Sequence, residues 1–189
     1  MSSHHIVREK QEPALLVLGM DGFDDELLGQ LLEWSPTVIV TETMAEKLNA
    51  AEVKIDWLLT DDNNGDIQSD VKRLPLNYHT EIEAALAFLI ESDYSAVNIV
   101  TDEFILENYL PFTDNINLVI FNNNRKIYPV RSGFSKWKPA GENIAFLTTP
   151  IDLKVTGLTH QHENEYVTKD NGLFTVQFSQ HFLFIAENI

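Results

Sequence analysis

The chain of 189 residues contains no cysteine. Disulfides, thiolate metal sites and cysteine nucleophiles are thereby excluded. Basic residues are scarce: 13 Lys and Arg stand against 29 Asp and Glu, a formal net charge of -16. Such a surface repels phosphate backbones and anionic membranes, so neither nucleic acid nor a membrane is expected as a partner. A single phosphate ligand stays open, because a divalent cation can sit between carboxylates and phosphate oxygens. No apolar run reaches membrane-spanning length, and Met1 to Lys10 lack the apolar core of a signal peptide. The expectation is a soluble cytoplasmic protein. The sequence also lacks a P-loop, a Gly-x-Gly-x-x-Gly turn and a Gly-x-Ser-x-Gly elbow. His4 and His5 fall in a terminal tail and are not read as ligands. His160 and His162 would share a strand face, but without a third ligand they do not make a zinc site. His181, between apolar neighbours, reads as structural.

What is present is ordinary globular composition, 44% hydrophobic and 22% charged, in a chain long enough for one large domain or two small ones. Ala14 to Leu18 is a continuous apolar run ending in Gly19-Met20-Asp21-Gly22, which predicts a buried strand and a tight turn. Asp24 or Asp25 caps a helix over 26–34, closed by Pro36. Thr37 to Val40 is a second strand. Thr41 to Ala51 is helical in composition, and Ile55 to Leu59 is a third strand. After a polar connection, Thr80 and Glu83 form a capping-box pair before a helix reaching Ile90. Val97 to Val100 predicts a fourth strand, Phe104 to Leu110 a short helix stopped by Pro111, and Asn117 to Phe121 a fifth strand. Strand and helix alternate to this point, which implies an α/β class domain over 12–122: a Rossmann-like, open, mostly parallel sheet with helices on both faces. Beyond Asn122 to Asn124 the segments are short, alternating and punctuated by Gly, Pro and Asn. They predict an antiparallel β-sandwich or barrel domain over 123–189.

Ligands of open α/β sheets sit beyond the carboxyl ends of the strands. Four such ends carry polar groups: Gly19-Met20-Asp21, Thr41-Glu42, Thr60-Asp61-Asp62-Asn63 and Thr101-Asp102-Glu103. The third continues through Asn64 and Gly65 to Asp66, and reads either as a turn or as an oxygen-rich loop suited to magnesium. Phosphoryl transfer needs little beyond positioning and charge neutralisation. Trp137 sits in a polar loop, Ser135 to Pro139, where its ring could stack on a flat heterocycle or cover a dimer seam.

The order of these pieces resembles the thiamine pyrophosphokinase (thiamine diphosphokinase) family over about Ala14 to Ile185. Thr80-Glu81-Ile82-Glu83-Ala84-Ala85-Leu86 resembles the family's Thr-Asp followed by an acidic, Ala-Leu-containing helix. Val155-Thr156-Gly157-Leu158-Thr159-His160 resembles its Gly-Leu-x-Tyr turn, and Ala14 to Gly19 its opening strand. The resemblance implies transfer of pyrophosphate from ATP to thiamine, with Mg2+, in a homodimer. It places Asp61 and Glu81 as catalytic and metal-binding residues and Glu42 and Asn63 around the cofactor, to which the loop reading adds Trp137 as a cofactor-binding candidate. The departures lie at the chemistry. Thr41-Glu42-Thr43-Met44 stands for Ala-Asp-Gly-Ala, Asn63 for the second aspartate of Gly-Asp-x-Asp-Ser, and Gly-Gly-Arg-x-Asp-His has no counterpart. The Ser-Asn pair beside thiamine is at best Asp170-Asn171. Two alternatives follow: a working enzyme, or an inactive homologue that binds a nucleotide or thiamine-like ligand or acts as a dimeric interaction protein.

Overall fold

The computed structural model describes residues 12–62, 70–77 and 79–189. The chain divides into two compact units, Met1–Leu118 and Val119–Ile189.

The first unit is built on five parallel strands. They are β1 (Ala14–Val17), β2 (Val38–Thr41), β3 (Trp57–Leu59), β4 (Lys72–Leu74) and β5 (Ala96–Val100). Their order is β5-β1-β2-β3-β4, every neighbouring pair parallel. β1 and β2 are buried along their whole length, which explains their unbroken apolar sequences: parallel strands covered on both faces do not alternate. Three helices connect them, α1 (Asp25–Leu32), α2 (Glu42–Ala50) and α3 (Glu81–Glu91). Each begins on a side-chain cap. Asp24 accepts the Leu27 amide, Thr41 the Met44 amide, and Thr80 the Glu83 amide. At α3 the Glu83 carboxylate also accepts the Thr80 amide at 2.9 Å, so the expected capping box is complete.

Two expectations are corrected here. The short helix over Phe104 to Leu110 is instead a pair of 3-10 turns, Leu106–Asn108 and Leu110–Phe112. Pro111 does not stop a helix; it lies inside the second turn, whose tight i to i+3 pattern tolerates its missing N–H near the start. Strand β4 lies in what reads as a polar connection. Its Lys72 and Arg73 disguise a strand that pairs with β3 along one edge only.

In the second unit, β6 (Asn117–Asn122), which the unit boundary crosses, β7 (Arg125–Val130), β9 (Asn143–Phe146), β11 (Leu158–His162), β12 (Glu165–Thr168) and β14 (Leu183–Asn188) pair antiparallel in the order β11-β12-β9-β14-β7-β6. A separate antiparallel sheet has the order β10-β13-β8, with β8 at Phe134–Lys138, β10 at Lys154–Thr156 and β13 at Gly172–Gln177. One apolar core joins residues of both sheets: Val130, Ile144, Phe146 and Ile185 from the larger, Phe174 and Val176 from the smaller. Gly157 marks the corner where the chain leaves β10 for β11. It has φ +72, and a Cβ there would lie 2.8 Å from the Leu173 carbonyl oxygen, so only glycine fits. The loop expected around Trp137 is strand β8, and His181 is exposed beside Phe182 rather than buried in the core.

The cap of α3 offers a direct check on this local reading. Thr80→Ala should cost about 1 kcal/mol of unfolding free energy in urea titration, with an unchanged m-value; an unaltered midpoint would contradict the capping box.

Candidate functional site

All five parallel strands of the first unit end at the same edge, and the order reverses at β1. From β1 the chain steps outward to β2, β3 and β4, then returns to β5 on the other side. A switch point of this kind opens a crevice beyond the carboxyl ends of the two strands beside it. A cavity of 320 Å³ lies there. It is lined by Leu18 after β1, by Thr101, Asp102 and Glu103 after β5, and by Thr80, Glu81 and Ile82 at the start of α3.

The loops around it are tied by side chains. The Asp102 carboxylate accepts the Asp21 amide at 2.8 Å, joining the loop after β5 to the loop after β1. Gly19 permits this contact, because a Cβ there would overlap the Asp102 carboxylate. Asp21 in turn pairs with Lys47 of α2 at 2.7 Å, and the ammonium's pKa is raised, chiefly by that hydrogen bond. Three strands end in a buried threonine: Thr41, Thr60 and Thr101. Each hydroxyl serves backbone amides as the chain leaves the sheet. Thr41 accepts from Met44, Thr60 from Asp62 and Thr101 from Glu103. These local bonds satisfy donors that a turn would otherwise strand.

The residues singled out from the sequence are placed unequally. Glu42 is the first residue of α2, and its carboxylate accepts the Thr60 hydroxyl. Glu81 opens α3, and its carboxyl is raised above its ordinary pKa, first by burial and then by the charge of Glu42. These two acids are therefore electrostatic neighbours. Asp61 turns elsewhere: its Oδ1 accepts the Leu76 and Asn77 amides at 2.8 and 3.3 Å, joining the ends of β3 and β4. Asn63 lies outside the described residues. Trp137 belongs to the second unit, on β8, with 59% of its surface exposed. Gly19, Thr60 and Asp102 are named from the sequence only as members of polar strand ends, without individual roles, and Lys47 is not named at all. The repeated strand-then-Thr pattern was the available signal for Thr60; nothing local announces Gly19 or Lys47.

Magnesium is commonly held by one or two carboxylates, with water and substrate phosphates completing its shell. Glu42 and Glu81 fit that demand. A carboxyl held above its ordinary pKa partly by a neighbouring carboxylate's charge, as Glu81 is by Glu42, is relieved by a divalent cation between them. Among the described residues no group of three or more acidic or histidine side chains converges, so the fit is to a pair and not to a cage. His160 and His162 are exposed and engaged separately, with the Glu163 carbonyl at 2.9 Å and the Glu165 carboxylate at 3.1 Å.

Comparison with solved structures identifies the fold. A thiamine pyrophosphokinase from Bacillus subtilis superposes with a TM-score of 0.65 at 14% identity, covering 93% of this chain and 98% of that one. One from Geobacillus thermodenitrificans gives 0.68 at 12% identity, with 93% and 97% coverage. One from Candida albicans gives 0.66 at 11%, with 94% and 90% coverage. No family model matches the sequence, and no curated protein matches it. The likeness is thus one of fold, retained over nearly the full length at low identity.

The pairing of the two acids can be tested without any ligand. Glu42→Gln should move the Glu81 carboxyl pKa partway back toward 4.5, because one of its two causes is removed and burial remains. Side-chain carboxyl NMR against pH measures this; an unmoved Glu81 would show that the two do not interact.

Proposed function

We propose that the chain is a thiamine pyrophosphokinase-like protein that binds ATP with Mg2+ at the carboxyl edge of the parallel sheet and transfers pyrophosphate to thiamine. The observation that carries this reading is the Glu42–Glu81 pair at the edge that also holds the switch-point cavity, in a fold that thiamine pyrophosphokinases share. Magnesium bound there would neutralise phosphate charge in the transition state. The protein's own groups do the rest. Glu42, held by Thr60, and Glu81, on the first turn of α3, would hold the cation. The Asp102–Asp21–Lys47 chain fixes the loops around the phosphates. Trp137 leaves a ring face open for a flat heterocycle such as thiamine, or for the seam of a homodimer.

A second reading is favoured by a specific observation. Asp61 keeps its place after β3, but one oxygen of its carboxylate, Oδ1, is engaged by two backbone amides of the loop after β4. A chain with that acid withdrawn could bind nucleotide or thiamine without transfer.

Purified protein with ATP, magnesium and thiamine separates the two. Turnover yields AMP and thiamine diphosphate. Glu81→Gln should then lower kcat/KM by more than the roughly 10–100-fold typical of outer-shell metal partners. Ligand-induced thermal stabilisation without product supports the binding reading. Absence of both product and stabilisation overturns the assignment of this site.

A further inference from the structure

The two halves of the sequence differ in charge. Residues 1–118 contain six Lys and Arg against 23 Asp and Glu, whereas residues 119–189 contain seven against six. Three of those seven basic residues gather at one carboxylate. Glu187 on β14 is 4% exposed, and the β14–β7 register sets it directly opposite Lys126. From β8, Lys136 and Lys138 reach the same carboxylate, on the face opposite Trp137 between them. Lys136 donates to Glu187 and to the Tyr128 hydroxyl, the latter at 3.3 Å. Lys138 lies 2.9 Å from the second Glu187 oxygen and 3.9 Å from Glu142.

The charges do not balance. Burial pushes the Glu187 carboxyl up, but the hydrogen bonds and charges of Lys136 and Lys138 outweigh it and hold it below its ordinary value. Glu187 is therefore a full negative charge already shared by two ammonium groups. Glu142 stands at the limit of ion pairing with Lys138. Tyr128 is raised by burial and by Glu187, so its hydroxyl stays neutral. Lys126 has no carboxylate within ion-pairing distance among the described residues; its ammonium lies 5.9 Å over the Phe121 ring. Its pKa is lowered, first by burial and then by Lys136 and Lys138, with Glu187 opposing. A partly buried surplus of positive charge costs free energy that a bound anion would recover.

We propose that Lys126, Lys136 and Lys138 form a binding site for a small oxyanion of the phosphate class, with Glu187 as the internal strut that spaces the lysines. Each ammonium has three donors. Lys136 commits two of them; Lys126 commits none to a carboxylate. Lysine acts here as a compact point charge, suited to phosphate without the fork geometry that arginine imposes. The same chemistry serves a free phosphate ion or the phosphate end of a larger ester.

Thermal unfolding of the full chain at pH 7 tests this, with inorganic phosphate, glycerol phosphate or chloride at matched ionic strength. Phosphate should raise Tm saturably above the chloride value. Lys126→Met should abolish that rise while melting, ligand-free, no lower than wild type, because a repelled ammonium has been removed. Lys126→Arg should keep the rise. Glu81→Gln should also keep it, which separates this site from the cavity of the first unit. A matching rise with glycerol phosphate assigns the ester end of a larger ligand, and a rise with inorganic phosphate alone assigns the free ion. Phosphate should in addition raise the Lys126 ammonium pKa, followed by side-chain nitrogen NMR. The proposal is overturned if phosphate stabilises no better than chloride, or if Lys126→Met responds as wild type does.

Discussion

Parallel strands must all finish at the same edge, and this constraint governs the first unit. Because β5, β1, β2, β3 and β4 run in one direction, the chain leaves the sheet there five times. Each exit must satisfy backbone groups beside a buried layer. The sequence meets the demand with threonines and acids: Thr41, Thr60 and Thr101 bond local amides, while Asp61 and Asp102 bond amides of neighbouring loops. Carboxylates are concentrated at that edge partly for this structural reason. The chemistry open to the site depends on which acids are left over after the loops have been tied. Glu42 and Glu81 stand on the first turns of α2 and α3, where the helix dipole favours negative charge, and among the described residues Glu81 accepts no hydrogen bond that would commit it to a loop.

Much of the first unit was legible because its signals are local. The Thr80–Glu83 box is written in a four-residue span, and the apolar runs of β1 and β2 exclude an exposed strand. Strand β4 was hidden because Lys72-Arg73-Leu74 carries one apolar residue and owes its conformation to β3. Strand β8 was hidden for a related reason. Lys136 and Lys138 occupy positions that a hydrophobic pattern expects to be apolar, and the buried carboxylate they share lies 49 or more residues away in the sequence. The same limit applies to the site. Glu42 and Glu81 were nameable from the resemblance to a family, but the effect of the Glu42 charge on Glu81 is a long-range fact. The withdrawal of Asp61 to Leu76 and Asn77 depends on a neighbouring loop that its own sequence does not reveal.

The two units therefore handle charge in opposite ways. The first spreads acids over loops and balances few of them; its described Lys47 and Lys54 meet Asp21 and Asp56 at the surface. Such exposed pairs contribute little to stability. The second draws three lysines toward one buried acid, where screening is weaker and imbalance matters more. A chain with a net charge of -16 can thus still hold a local cluster of lysines around one acid.

Strand β4 has a consequence for solubility. It is the outermost strand of the parallel sheet, three residues long, and carries Lys72 and Arg73 before Pro75. An open sheet edge is a template onto which another chain can add a strand. Here the template is too short for a stable ladder, its charges would be trapped against an incoming backbone, and the proline cannot extend the donor row. The polar composition that concealed β4 as a strand is also what keeps the sheet from growing.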